Sequence, residues 1–493
     1  MRRQCAVPIL GALLAVAVGS CSDPQIPVGT VGHVQKYFGG VAADEPRAVL
    51  IGRDVLSAGG SAADAVIAMS MAMMVTRPDA AGPGGGGVCV FYSAQENKAE
   101  ALEFMPHASR TPPEGGRWIG TVPGTFRGLF ALSARYGVLR WEQLVLPAEN
   151  MARFGIPLPR SLARSLISDG ASLFSDPVAR QRFFAADGKP LSEGAPFRQL
   201  DLAGILGRIR VAGPGDFHEG HYLRQYVQAV RDAGGWITIN DIRKYRPVWN
   251  DTVKLSAGNH ILHFAPSPAL GGIVAAGIWR DIGNSLRFSG NDDAGQVMLA
   301  MQASRRAHQA ALSRPVSGRG SVGALSMDQA GNAAACVLTM GAPFGTGKVL
   351  GETGIIAVAP ASADTALSLA PLVMANDKVK SAYAAATGAG DRSVGTALAT
   401  VLARLLDGGQ NIDEALRQYR YAPQAQNGHI LLEEDAPPAL PARLAGQGRM
   451  VTRVPSIGRI NLMYCPQGMR ERPEECAVRT DPRGFGHAIN AEF

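Results

Sequence analysis

The spacing of apolar and polar positions predicts many short helices and strands. An apolar run of helical length follows Ser61-Ala-Ala-Asp64 and continues to about residue 75. Because apolar side chains occupy every face of this segment, we predict a buried helix. Ser61 and Asp64 have the spacing of a capping box at its start. Shorter runs rich in β-branched and aromatic residues, at 88–92 and 99–104, predict strands.

The remaining pattern alternates between helical blocks and strand-like runs. Helical periodicity covers residues 48–58, 120–136, 141–153, 200–211, 221–233, 271–282, 296–312 and 393–406. Strand-like runs cover residues 255–264, 321–340, 347–358 and 378–387. Helices inserted between pairs of strands predict an α+β or layered architecture.

Composition narrows the class of protein. The chain has 493 residues, of which 46% are hydrophobic and 18% charged, so it can bury a large core. The net charge is +7, but Arg and Lys are spread along the chain without a basic block. We therefore expect no nucleic-acid partner. The charge fits a mild preference for anionic small molecules, or simply solubility.

The N-terminal residues have the pattern of a secretory signal. Met1-Arg-Arg-Gln4 is followed by an apolar run at 7–18, which is too short to span a bilayer, and then by Val18-Gly19-Ser20-Cys21. This predicts a signal peptide over residues 1–20 with a lipobox, and lipidation of Cys21. The expected location is the bacterial cell envelope, as a periplasmic lipoprotein with the outer membrane favoured. An ordinary cleaved signal is the alternative.

Export places the cysteines where disulfides persist. Cys465 and Cys476 flank a polar ten-residue loop, and we predict a disulfide that closes it. Cys89 and Cys336 lie in apolar, strand-like runs and are interpreted as small buried hydrophobic residues. Neither pair has zinc-site spacing.

Two histidine pairs and one glycine-rich loop are the sequence features that could indicate a metal or cofactor site. His260 and His263 lie three apart on a predicted strand and so face opposite sides, while His218 and His221 lack a third ligand in sequence. The segment Gly82-Pro-Gly-Gly-Gly-Gly87 precedes a strand, whereas the dinucleotide fingerprint precedes a helix. We expect no metal and no cofactor.

The most informative stretch is the junction Gly320–Ser321. Ser321 opens a strand that turns back at Asp328-Gln-Ala-Gly-Asn332. If the bond before Ser321 were cut, this residue would carry both a hydroxyl nucleophile and a free α-amine, whose pKa of roughly 7.7–8.0 suits a base at neutral pH. The simpler interpretation is a β-hairpin that begins with serine.

Several blocks, in order along the chain, resemble the γ-glutamyltransferase family of N-terminal-nucleophile hydrolases. The blocks are Ala58-Gly-Gly-Ser-Ala-Ala-Asp64, residues 82–87, Val122-Pro-Gly124, Ala233-Gly-Gly235, Pro266-Ser-Pro268, Asp328-Gln-Ala-Gly-Asn332, Phe344-Gly-Thr-Gly347, Gly351-Glu-Thr-Gly-Ile355 and Asp481-Pro-Arg483. The resemblance covers roughly residues 30–490. It implies a four-layer αββα sandwich formed by one precursor, which is cut at Gly320–Ser321 into a large segment, 21–320, and a small segment, 321–493.

The resemblance also implies roles for individual residues. Ser321 stands where the family has its threonine nucleophile, and Thr339 matches a second threonine that hydrogen-bonds near the nucleophile's amine. The backbone of Gly390 and Asp391 stands where the family binds the oxyanion. Among substrate-binding positions, one serine of a family pair remains as Ser368. Gly341 replaces an expected asparagine.

This chain departs from the family pattern at the positions expected to bind a γ-glutamyl group. Met105 occupies the place of the family's carboxylate-binding arginine, with Arg110 nearby but out of register, and residues 357–363 lack the expected acids. We predict an autoprocessing amidohydrolase or acyltransferase acting on a small amide or peptide, with a γ-glutamyl or related acyl group. The alternative is a non-catalytic, envelope-anchored relative with a binding or scaffold role. The only expected membrane contact is the lipid anchor, and the sequence predicts no oligomeric state.

Overall fold

The computed structural model describes residues 39–109, 119–283, 288–311, 316–317, 320–358, 366–424 and 429–490. The helices are α1 (Pro46–Ser57), α2 (Ala62–Thr76), α3 (Thr125–Tyr136), α4 (Trp141–Phe154), α5 (Arg160–Asp169), α6 (Pro177–Phe183), α7 (Leu200–Ala212), α8 (Gly215–Glu219), α9 (His221–Asp232), α10 (Ile239–Lys244), α11 (Leu270–Ile282), α12 (Asp293–Ala311), α13 (Val394–Leu406), α14 (Ile412–Arg417) and α15 (Leu440–Gly446).

The strands alternate with these helices along the chain. They are β1 (Gly39–Ala43), β2 (Gly86–Ser93), β3 (Lys98–Phe104), β4 (Ile156–Pro157), β5 (Pro196–Phe197), β6 (Val248–Asp251), β7 (Val253–Ala257), β8 (His260–Phe264), β9 (Val316–Ser317), β10 (Ser321–Asp328), β11 (Ala333–Thr339), β12 (Ala366–Leu367), β13 (Ala370–Asn376), β14 (Ser381–Ala389), β15 (Tyr421–Pro423), β16 (Ile430–Glu433), β17 (Val451–Val454), β18 (Arg459–Tyr464), β19 (Ala477–Arg479) and β20 (His487–Asn490).

Two antiparallel sheets form the centre of the molecule. One has the strand order β20-β1-β10-β11-β2-β3-β6, and the other has the order β19-β18-β14-β13-β8-β7. Each sheet therefore contains strands from both sides of the Gly320–Ser321 junction. The two predicted segments, 21–320 and 321–493, are interleaved in a single structure.

Three apolar clusters separate four layers. The middle cluster contains side chains of both sheets, such as Val90 and Leu325 from one and Val373 and Met463 from the other. A second cluster packs α1 to α5, α7 and α9 against the outer face of the first sheet. A third packs α11 to α15 against the outer face of the second sheet. This is the predicted αββα sandwich.

Helix α2 has the burial that its sequence predicts. All fifteen of its residues are buried, and Ser61 and Asp64 form the reciprocal capping box. None of the described helices combines the length and the apolar character needed to cross a bilayer.

One strand prediction was wrong in the region after the β10–β11 hairpin. Within residues 347–358 the described chain forms one 3₁₀ turn, Gly351–Thr353, and an isolated bridge between Val349 and Ile356. Gly351 and Gly354 have positive φ angles of 50° and 67°, which an extended strand cannot contain. The strand predicted at 378–387 corresponds to β14, which begins at Ser381 after a turn that contains Lys378.

The interpretation of Cys89 and Cys336 as unpaired residues was also wrong. β2 and β11 are antiparallel neighbours in which these two residues are direct partners, and a disulfide joins them with a Cα–Cα distance of 4.0 Å. The register between strands so distant in sequence cannot be read from either run alone. Cys465 and Cys476 are also joined by a disulfide. Residues 1–20, Cys21 and Arg110 lie outside the described residues.

Candidate active site

Ser321 is the first residue of the central strand β10. Its side chain is completely buried, and the residue pairs directly with Thr339 at the end of β11. The backbone N–H of Gly390, which follows β14 in the other sheet, donates a hydrogen bond of 3.0 Å to Ser321 Oγ. The two sheets thus meet at this hydroxyl. Predicted site residues from three strands lie together here.

The carbonyl of Gly320, immediately before Ser321, is held by two donors. Thr339 Oγ1 donates to this oxygen at 2.9 Å, and the backbone N–H of Met340 donates to it at 2.9 Å. The N–H of Gly341 donates to Thr339 Oγ1 at 2.9 Å, which orients the hydroxyl toward Gly320. Two donors that converge on one carbonyl oxygen form an oxyanion-type site.

Only glycine fits at position 320. A Cβ atom on Gly320 would lie 2.3 Å from the carbonyl oxygen of Ala342 and 2.8 Å from the nitrogen of Pro343. Contacts this short with backbone atoms would force the loop or the carbonyl of residue 320 to move. The absent side chain therefore preserves the geometry around the junction.

Two residues that were not predicted from the sequence hold the start of β10. Arg459 donates from Nη2 to the carbonyl oxygen of Ser321 at 2.9 Å. Asp44 accepts a hydrogen bond of 2.9 Å from the N–H of Gly323 and another of 2.9 Å from Asn461 Nδ2. Arg459 and Asp44 are separated from β10 by more than one hundred residues, so no local motif reveals them.

The turn between β10 and β11 is fixed by Asp328. Its carboxylate accepts hydrogen bonds from the N–H groups of Ala330 and Asn332 within the turn, and from the N–H of Ala62 at the start of α2. Burial raises the pKa of the Asp328 carboxyl, and these hydrogen bonds oppose that effect. Asn332 in turn accepts from the N–H of Ala94 beyond β2. The turn is thereby tied to its surroundings at both ends.

Gly390 and Asp391 form the turn that faces Ser321. The φ angle of Gly390 is 136°, a conformation that side chains disfavour. The Asp391 carboxylate accepts a hydrogen bond of 2.9 Å from the N–H of Ser393, at the start of α13. This cap holds the turn and keeps the Gly390 N–H directed at the serine oxygen.

A cleft of about 740 Å³ opens at this turn. Gly390, Asp391, Pro343 and Arg459 line one side, and residues of α5 line another. Ser321 itself does not line the cleft, but Gly390, which donates to its hydroxyl, does. A cleft of this size can hold a small amide substrate.

The structure gives less direct support for the predicted substrate-binding residues. Ser368 is buried, does not line the cleft, and its hydroxyl has no hydrogen-bond partner within the described part of the chain. Gly341 acts through its amide on Thr339. Met105 is 3% exposed in the cluster between the sheets, and its carbonyl accepts from Tyr245 Oη. Residues 359–363 lie outside the described residues.

The histidines proposed as metal candidates have other environments. His218 lies in the short helix α8, between the carbonyls of Pro214 and Pro123. His263 Nδ1 is 2.9 Å from the hydroxyl of Thr252, whereas the ring of His260 packs on Tyr383. Within the described ranges, no three His, Cys, Asp or Glu side chains are grouped as metal ligands.

The fold defines the class of protein. Two face-to-face antiparallel sheets with helices on both outer sides form the four-layer sandwich of the N-terminal-nucleophile hydrolases. The crystal structure of a cephalosporin acylase from Bacillus halodurans matches with a TM-score of 0.78, over 95% of this chain and 99% of that chain. At 21% sequence identity this likeness concerns the fold alone.

The family follows from the sequence comparison. The family model for Gamma-glutamyltranspeptidase matches residues 48–313, more than half of the chain, so this protein belongs to that family. "Glutathione hydrolase 3" of Arabidopsis thaliana is 32% identical over 264 residues, which cover 51% of this chain and 41% of that protein. The "Glutathione hydrolase proenzyme" of Escherichia coli (strain K12) is 24% identical over 96% of this chain and 97% of its own. The chain thus spans less than half the length of the Arabidopsis relative.

Proposed function

We propose that this chain is a self-cleaving amidohydrolase or acyltransferase with Ser321 as its nucleophile. The single observation that carries the proposal is the pair of donors, Thr339 Oγ1 and the Met340 N–H, on the carbonyl that precedes Ser321. An ordinary hairpin requires the backbone hydrogen bond but not the hydroxyl that reinforces it. Family membership supports the same chemistry.

The first reaction is cleavage of the chain itself. Ser321 Oγ attacks the carbonyl carbon of Gly320, and the two donors stabilise the negative charge that develops on the carbonyl oxygen. The C–N bond breaks, the proton of the hydroxyl passes to the nitrogen, and an ester links Gly320 to Ser321 Oγ. Water then hydrolyses the ester. The products are a carboxylate at Gly320 and a free α-amine and hydroxyl on Ser321.

The second reaction is turnover of an amide. The α-amine of Ser321 takes the proton of its own hydroxyl as Oγ attacks the substrate carbonyl, and returns a proton to the departing amine. The N–H groups of Gly390 and Asp391 stabilise the tetrahedral oxyanion, and the Gly390 N–H already lies 3.0 Å from Oγ. Water releases the acyl group as an acid, and an acceptor amine in place of water gives acyl transfer.

The substrate is proposed to be a small amide or peptide with a γ-glutamyl or related acyl group. The related proteins are named as glutathione hydrolases. Met105, where the family resemblance expects an arginine, packs between the sheets, so recognition of the acyl group differs from the family pattern. This same departure supports the second candidate, a non-catalytic relative with a binding role.

Reducing denaturing gels, which break the Cys89–Cys336 disulfide between the two segments, and N-terminal sequencing of the purified full-length chain separate the two candidates. The enzyme hypothesis expects two fragments, with a new N-terminus at Ser321, and release of nitroaniline from amide donors such as a γ-glutamyl 4-nitroanilide. Ser321→Ala should give one intact band. If the wild-type chain stays intact and its stability equals that of Ser321→Ala, the enzyme hypothesis is wrong and the binding role is favoured.

We also propose that the chain is a periplasmic lipoprotein anchored through Cys21, on the basis of the lipobox sequence alone. Labelling of cells with a radioactive fatty acid should mark the wild-type protein and leave Cys21→Ala unmarked. Labelling of neither protein would favour an ordinary cleaved signal.

A further inference from the structure

Among the charged side chains that line the cleft beside Gly390, one has no ion pair or hydrogen bond within the described residues. Four arginines and four aspartates line this cleft, so it is not a general attractor for anions. Selectivity for a charged substrate must then come from individual groups whose hydrogen bonds are not already used within the protein.

Three of the four arginines are engaged. Arg77 donates to both carboxylate oxygens of Asp79, at 2.9 and 2.7 Å. Arg459 donates to the carbonyl of Ser321. Arg483 is paired with the Glu433 carboxylate. Each of these guanidinium groups holds a part of the fold in place.

The aspartates are also engaged. Asp44 accepts from the Gly323 N–H, and Asp79 accepts from Arg77. The remaining two accept from their neighbours in sequence. Asp169 accepts from the hydroxyl of Ser168, and Asp391 accepts from the N–H of Ser393.

Arg164 is the exception. It is exposed on α5, and within the described part of the chain its guanidinium has no ion pair or hydrogen bond. Arg164 belongs to the helix face that lines the cleft, which consists of Ser161, Arg164, Ser165 and Ser168 at intervals of three and four residues. The opposite face is fixed in the core by Leu162 and Leu166.

The helix that carries Arg164 is also tied to the floor of the cleft. The hydroxyl of Ser165, the next residue, donates to Asp79 Oδ2 at 2.9 Å. The orientation of this face of α5 is therefore fixed, and so is the position of the Arg164 backbone at the cleft.

We propose that Arg164 binds a carboxylate of the substrate and replaces the arginine that Met105 lacks. A guanidinium presents paired donors that match a carboxylate. Arg77 and Arg483 already use theirs on carboxylates. Arg459 has an Nε without a hydrogen bond within the described residues, but its Nη2 is committed to the carbonyl of Ser321. The inference rests on the proposed amidase function for its biological meaning, but carboxylate binding itself can be tested without chemistry.

The test uses full-length Ser321→Ala, whose uncut cleft corresponds to the structure described. Isothermal titration compares glutaryl 4-nitroanilide, which carries a carboxylate in its acyl part, with pentanoyl 4-nitroanilide, which has the same acyl length and no charge. A third ligand, pentanoyl 3-carboxy-4-nitroanilide, carries the carboxylate in the leaving group. The ligand that binds more tightly shows which part of the substrate Arg164 contacts.

We expect at least one carboxylate ligand to bind about 10- to 100-fold more tightly than the uncharged ligand, the effect of one hydrogen-bonded charge. Arg164→Met should abolish this preference, and Arg164→Lys should retain part of it. Arg160→Met is the matched control, because Arg160 is on the same helix, pairs with Glu193 and does not line this cleft. An unchanged preference in Arg164→Met, or no preference in the parent, would overturn the inference. An uncut wild-type chain would instead count against the proposed function.

Discussion

The hydroxyl of Thr339 is the group whose removal tests the self-cleavage geometry most directly. It donates to the carbonyl of Gly320 at 2.9 Å and accepts from the Gly341 N–H at 2.9 Å. Thr339→Val keeps the shape and the branching of the side chain in β11, so the strand is preserved. The substitution removes one of the two donors to the Gly320 oxygen and leaves the Met340 N–H in place.

The expected magnitude follows from that change. Removal of one oxyanion donor slows an acyl-transfer step by about 10²- to 10³-fold, or roughly 3–4 kcal/mol of transition-state stabilisation. The free energy of unfolding should fall by less, about 1 kcal/mol, because only one hydrogen bond of the half-buried Gly341 amide is lost. The effect on cleavage should therefore greatly exceed the effect on stability.

The assay follows newly synthesised chains on a reducing denaturing gel and measures the rate at which the fragment 321–493 appears. Thr339→Ser, which retains the hydroxyl, should cleave within about tenfold of the wild-type rate. Urea unfolding of both variants in a Ser321→Ala background gives the stability change without cleavage. If Thr339→Val matures at the wild-type rate while the wild type is cleaved before Ser321, the Thr339 hydroxyl is not part of the oxyanion site.

Three further predictions concern stability and turnover. In the uncut Ser321→Ala background, Cys89→Ala with Cys336→Ala should lower the free energy of unfolding by about 2–5 kcal/mol in urea titrations, since the bridge spans 247 residues, and an unchanged midpoint would argue against a formed bridge. Burial lowers the pKa of His263 to about 4, so stability should fall as the pH drops from 6.5 toward 4, because the unfolded chain binds the proton first. His263→Gln should reduce that loss by up to about 3 kcal/mol at pH 4, and identical urea midpoints across this range would contradict it. Gly390→Ala should slow anilide turnover by about 10²- to 10³-fold, because a side chain at a φ of 136° displaces the backbone amide from Ser321. A variant that turns over the anilide at the wild-type rate would show that this amide does not stabilise the oxyanion.

Local patterns predicted the parts of the fold that depend on local physics. Helix α2 and its capping box could be predicted directly, because a helix that is apolar on every face is stable in a globular fold only when it is buried. The β10–β11 hairpin could be read as well, since Asp328 and Asn332 bond to their own turn. The strand prediction for residues 347–358 failed because a buried loop and a strand can have the same apolar composition. Only the positive φ angles of Gly351 and Gly354 distinguish the two, and sequence does not display them.

The structure brings the central residues of the predicted site together, and the residues that support them were not predicted. Gly320, Ser321 and Thr339 share one hairpin, so a count along the sequence places them together. Arg459 contacts the carbonyl of Ser321 across 138 positions, and its strand is recognisable only as an unremarkable apolar run. Arg164 carries no motif, and its position at the cleft follows from the packing of α5. Contacts between distant segments depend on register and layer order, which periodicity does not specify.

The residues around the Gly320–Ser321 junction and the residues proposed to bind the substrate are under different structural constraints. The substrate-binding residues can therefore differ from the family pattern while the junction is kept. The junction is confined by backbone contacts: a side chain at Gly320 would strike Ala342, so the site around Ser321 tolerates little change. Recognition depends on exposed side chains such as Arg164, which can be replaced at little cost to the core. Met105 is packed between the sheets, and an arginine there would bury a charge in an apolar cluster. Recovery of a carboxylate contact from that position would therefore require the sheets to repack, whereas α5 already offers a guanidinium at the cleft.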